Sequence, residues 1–101
     1  DMFQFGGVNI FPSAIENFIR GIKAFSNEYQ IVVPKMGTGK RMKIRVEPAS
    51  ESISEEELKK AIREFVEIYK YRVGVTADVE ITKIGELPRF EQKAKRVIRE
   101  V

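Results

Sequence analysis

Tyr29-Gln30-Ile31-Val32-Val33, Pro34-Lys35-Met36-Gly37-Thr38-Gly39-Lys40-Arg41 and Met42-Lys43-Ile44-Arg45-Val46 form the stretch that decides the architecture. Tyr29, Ile31 and Val33 recur with period two, and so do Met42, Ile44 and Val46, which predicts two strands each burying one face. Gly37-Thr38-Gly39 lies between them and reads as the turn of a strand-turn-strand unit. The same turn has the look of a phosphate loop, but the Gly-x-x-x-x-Gly-Lys-Ser/Thr spacing is absent and Arg41 stands where Ser or Thr belongs.

Toward the C-terminus, Pro48 ends the second strand. Ser54 and Glu57 have capping-box spacing, and Leu58, Ile62, Phe65, Val66 and Tyr69 make the apolar face of a long helix up to about Arg72, stopped by Gly74. Val75, Ala77, Val79 and Ile81 alternate as a further strand, and Pro88 breaks the chain before a basic tail. Toward the N-terminus, Met2 to Phe11 holds two short apolar stretches around Gly6-Gly7, a hairpin pattern. Ile15, Phe18, Ile19 and Ile22 then follow as a helical stripe. That helix starts either with Ser13 as cap, paired with Glu16, or with Pro12 in its first position. The expected fold class is α+β: one domain over residues 1–101, two helices packed on one face of a small, mainly antiparallel sheet, an N-terminal hairpin and a basic C-terminal tail. The sheet's other face then needs cover or a partner.

With 101 residues and 43% hydrophobic content the chain suffices for one core. A pocket of about 300 Å³ would take a large share of it, so a helper or binding role suits the size better than a self-contained enzyme. Cysteine and histidine are both absent, which removes disulfides, thiolate nucleophiles, the commonest general base and most metal-ligand sets; no metal site is predicted. No apolar run approaches the roughly 20 residues of a membrane span and nothing resembles a signal peptide, so a soluble, cytoplasmic protein without membrane contact is expected. Asp1 in place of an initiating Met predicts that the chain was cut from something longer.

The net charge of +3 implies no general polyanion binding. Glu51, Glu55, Glu56 and Glu57 belong to a helix N-terminus, whose dipole they complement. The strand from Lys40 to Glu47 lacks the aromatics that stack bases, so no nucleic-acid partner is expected. Glu64 and Glu67 read as a solvated helix face. Phe18, Phe25, Phe65, Tyr69 and Tyr71 read as core and rim. Phe90, an aromatic three residues before Lys93 in an expected loop, hints at a contact surface.

Two separated motifs carry a family resemblance. Leu87-Pro88-Arg89, Glu91 and Lys93-Ala94-Lys95-Arg96-Val97-Ile98 closely resemble the final motif of phenylacetate-coenzyme A ligases, and Gly7-Val8-Asn9-Ile10-Phe11-Pro12-Ser13 with Ile15-Glu16 resembles the segment after that family's interdomain hinge. The resemblance covers essentially the whole chain. It departs from the family at Gln92, where glycine is usual, and at Phe90, where a small polar residue is usual.

The resemblance implies the mobile C-terminal domain of an ATP-dependent adenylate-forming ligase. Lys93 would serve acyl-adenylate formation, and Arg89, Lys95 and Arg96 would either assist with nucleotide or coenzyme A phosphates or form a solvated basic tail. After domain rotation, Gly6, Gly7, Val8, Asn9 and Phe11 would lie near the pantetheine tunnel, with the hinge immediately before Asp1. The same resemblance implies ATP with Mg²⁺ and coenzyme A as substrates of the full enzyme, none bound by this domain alone. It also implies an N-terminal adenylation domain as partner, phenylacetate or a related aryl acid as substrate, and a fragment inactive by itself. The parent's oligomeric state, monomer or homodimer, is left open. The competing reading is a stand-alone regulatory domain that binds a small molecule; an adenylation domain encoded upstream of Asp1 would separate the two.

Overall fold

A computed structural model describes residues 2–89, 91 and 93–100, with the backbone alone for Lys93 and Ala94. The chain opens with a hairpin, β1 (Phe3–Phe5) and β2 (Val8–Ile10), in antiparallel register Phe3↔Ile10. Its two-residue turn needs positive φ at both positions, and Gly6 and Gly7 supply 58° and 77°. Helix α1 (Pro12–Arg20) begins with Pro12, not with a Ser13 cap; Phe11 occupies the capping position without a side-chain bond. Proline fits there because the first helical N–H has no intrahelical partner to lose.

Strands β3 (Phe25–Val33) and β4 (Met42–Pro48) form the antiparallel centre of the sheet, with Tyr29↔Val46 and Ile31↔Ile44 paired. Helix α2 (Glu55–Val73) follows. Ser54 accepts the Glu57 amide at its start, and Gly74 takes the left-handed conformation at its end with φ 84°. Strand β5 (Ala77–Ile81) pairs with β4, and β6 (Val97–Arg99) pairs with the free edge of β3, so the order is β5-β4-β3-β6.

The sheet is mixed, not mainly antiparallel, since both outer strands run parallel to their neighbours. The cause in β5 is α2: a helix between two adjacent strands returns the chain to the end from which the first set out. The basic tail is likewise more ordered than a loop, forming a 3-10 turn over Lys93–Arg96 and then β6.

Tyr29, Ile31 and Val33 of β3 and Met42, Ile44 and Val46 of β4 point to the helices and share one core with Ile15 and Ile19 of α1 and Ala61, Phe65 and Tyr69 of α2. Phe65 and Tyr69 stack at 5.6 Å, and Phe18 meets both edge-on, at 6.5 Å and 5.8 Å. Tyr71, in contrast, is exposed. No helix among the described residues is long and apolar enough to cross a membrane.

Candidate functional site

The residues that alternate with the core positions populate the sheet's second face with charge. Arg45 of β4 donates to Gln30 at 2.9 Å, Glu80 at 3.1 Å and Glu86 at 3.0 Å, and Lys43 pairs with Glu80 at 3.2 Å. The face that the sequence left in need of cover is thus partly covered from within, by the segment running from Lys83 to Arg89.

Glu47 anchors that segment. Its side chain is 1% exposed, yet it accepts the Gly85 and Leu87 amides, both at 2.9 Å, and a two-pronged contact from Arg89 whose Nη2 lies at 2.9 Å. Arg89 holds the Glu47 carboxyl down at about 2; the two amides add to this and burial opposes it. Leu87, between these contacts, is buried although it lies outside the helix-side core.

Glu28 is the neighbouring carboxylate. It precedes Tyr29 as Glu47 follows Val46, and Tyr29↔Val46 are partners; both acids lie within reach of one guanidinium, that of Arg89. Two carboxylates that share one cation are held by it against their mutual repulsion: Arg89 lies 3.8 Å through Nε from Glu28 while it forks onto Glu47. Strand β3 is irregular between Phe25 and Tyr29, where the Glu28 amide donates to Ser26 Oγ at 3.0 Å; such bulges re-aim side chains. Arg96 completes the group, donating to Glu28 at 3.0 Å and to the Tyr29 carbonyl at 3.0 Å, with its guanidinium 4.8 Å from the Tyr29 ring centre. Burial, followed by the nearby Glu16 carboxylate, pushes the Tyr29 hydroxyl up to about 12. A charged cleft of about 390 Å³ opens here, lined by Arg20, Glu28, Arg89, Glu91 and Arg96 among others.

The structure therefore brings Arg89 and Arg96 together around Glu28, and both guanidiniums already face carboxylates. Lys95 is exposed. Lys93 begins the 3-10 turn between the two arginines; its side chain lies outside the described residues, as do Asp1, Phe90 and Gln92 altogether. Gly6, Gly7, Asn9 and Phe11 are exposed, and Val8 is half-buried against the core. Gly6 borders a different hollow, a groove of about 430 Å³ beside the β3–β4 loop that Phe5, Pro34, Met36, Lys40 and Arg99 also line. Glu28 and Glu47 escaped the sequence reading because their phase in the strands marks them as facing away from the helices, where a carboxylate is ordinarily just wet.

A family described as AMP-binding enzyme C-terminal domain matches residues 7–100. The chain belongs to that family. It is 33% identical over 99 residues to phenylacetate-coenzyme A ligase of Escherichia coli (strain K12), with 96% of the chain and 23% of that protein aligned, and 33% identical over 113 residues to the enzyme of Thermus thermophilus, at 97% and 25%. It thus spans about a quarter of the length of these relatives.

Among solved structures, a domain of phenylacetate-coenzyme A ligase from Bacteroides vulgatus superposes with a TM-score of 0.83 at 29% identity, covering 98% of this chain and 92% of that one. 2-Hydroxyisobutyryl-CoA ligase bound to 2-HIB-AMP and CoA in the thioesterification state gives 0.85 at 30% identity, covering 99% of this chain and 21% of that one. The same ligase in a postadenylation state gives 0.81 at 31%, with coverage of 99% and 22%. The chain is an adenylate-forming ligase C-terminal domain, related to phenylacetate-coenzyme A ligases and other acyl-CoA ligases.

Proposed function

We propose that this domain works within a longer ATP-dependent ligase that joins phenylacetate or a related aryl acid to coenzyme A, and that Lys93 serves the first half-reaction. The observation that carries the reading is the extent of the family match: residues 7–100 include both the segment that begins at Gly7 and the one that holds Lys93. In the first step a carboxylate attacks the α-phosphate of ATP, which arrives with Mg²⁺, and pyrophosphate leaves. Two anions must meet, and a lysine's compact charge is suited to neutralising them. An adenylation domain N-terminal to this chain would hold the acid and most of the nucleotide.

In the second step the domain turns, Lys93 withdraws and the hairpin tip at Gly6-Gly7 faces the entering thiol. The relatives' description in a postadenylation and a thioesterification state, each similar to this chain, supports such an exchange of faces.

Pyrophosphate exchange into ATP, dependent on phenylacetate and measured on the full-length ligase, tests the proposal. Lys93→Ala is expected to lower exchange about a hundredfold, roughly 3 kcal/mol, while thioester formation from preformed acyl-adenylate persists. Unchanged exchange in the folded variant would overturn the assignment.

A further inference from the structure

The segment that holds Lys93 is flanked by two arginines, and both reach one carboxylate, Glu28. Arg89, just before residues 90–95, reaches Glu28 at 3.8 Å through Nε while its other nitrogens fork onto Glu47; Arg96, just after them, donates to Glu28 at 3.0 Å. Arg96 is held on a second side by the Tyr29 carbonyl and from below by the Tyr29 ring, and its side chain is only 11% exposed. A planar guanidinium bound by two such partners has little freedom left, unlike a lysine on a flexible stem. Glu28 in turn sits on an inner strand, at the irregular stretch where the Ser26 hydroxyl takes up its amide.

We infer that Glu28 is a positioning residue for acyl-adenylate formation, tying together through Arg89 and Arg96 the two ends of the segment that carries Lys93. The inference rests on the proposed role of Lys93. Glu28 does not touch the reacting atoms; it fixes the span that residues 90–95 must bridge, and with it where a charge carried on that span can be presented. A rigid base under a short segment is what transition-state complementarity asks for, since a misplacement of about 1 Å costs on the order of a hundredfold in rate. It also gives Arg89 and Arg96 work that needs no phosphate: each has its acid at hand inside the domain.

The test is Glu28→Gln in the full-length ligase, which keeps the shape and removes the charge, followed through both half-reactions. Aryl-acid-dependent pyrophosphate exchange is expected to fall roughly tenfold in kcat, with thioester formation from preformed acyl-adenylate unchanged and Glu28→Asp recovering part of the loss. A proportional fall in both half-reactions, or no fall in exchange where Lys93→Ala abolishes it, overturns the inference and leaves the function standing. If Lys93→Ala leaves exchange intact, the function fails and the inference with it, so the two failures differ. Should Glu28→Gln not accumulate folded, Arg96→Lys reads the same contact from the other side: a selective loss of exchange supports the role, and a proportional one overturns it.

Discussion

At the scale of single residues the most consequential group is a carboxylate that strand phase alone places in water. Glu47 is buried, and its stabilisation as an anion is local, made by the Arg89 fork and two amides. Its folded value, about 2, lies below its ordinary 4.5, so it contributes stability fully above pH 4.5 and loses it as the pH falls toward 2. Urea unfolding between pH 6 and pH 2 is expected to show about 2–3 kcal/mol of this loss, and Glu47→Gln to flatten that part of the profile while starting from a less stable protein at pH 6. An equally steep profile in Glu47→Gln would mean that other carboxylates dominate. The motif legible in the sequence, Leu87-Pro88-Arg89, contained one half of this interaction and gave no sign of the other, because Arg89 and Glu47 are 42 positions apart.

At the scale of elements, local rules accounted for what is local. Ser54 and Gly74 bound α2 as their side-chain chemistry and backbone freedom dictate, with Ser54 accepting the Glu57 amide at 3.1 Å. Ser54→Ala is expected to cost about 1 kcal/mol by urea titration, with no change in either half-reaction, since the helix start bears only on stability. The same rules missed β6. Val97, Ile98 and Arg99 are too few to show a period, and they are a strand because the edge of β3 offers Ile31 to Val33 as partners. Helix α1 shows a milder case: two capping patterns overlapped at Pro12 and Ser13, and the helix takes the proline start, with Phe11 in the capping position.

For the whole molecule, the two segments to which the proposal gives a role border separate hollows, the hairpin turn beside the β3–β4 loop and the lysine segment beside Arg89 and Arg96. If the domain presents one face to each half-reaction, as proposed, variants should injure one half-reaction each. A Cβ at Gly7 would meet no atom of this domain within 4 Å, so Gly7→Ala costs here only the strain of its φ of 77°, about 1–2 kcal/mol. In the full-length ligase that substitution is expected to slow thioester formation severalfold at unchanged pyrophosphate exchange, the reverse of Lys93→Ala. Equal slowing of both steps would argue against an exchange of faces.

The α+β class, both helices, the glycine hairpin and the resemblance at the two ends of the chain were determined by the sequence itself. Periodicity, caps and turn glycines act over a few residues and need no partner to be read. Only the tertiary structure decided the mixed sheet, the recruitment of the basic tail as an edge strand and the Glu28–Glu47 base beneath Arg89 and Arg96. Each of these depends on which distant strands become neighbours, and the burial of a carboxylate depends on an arginine that the fold must first bring to it.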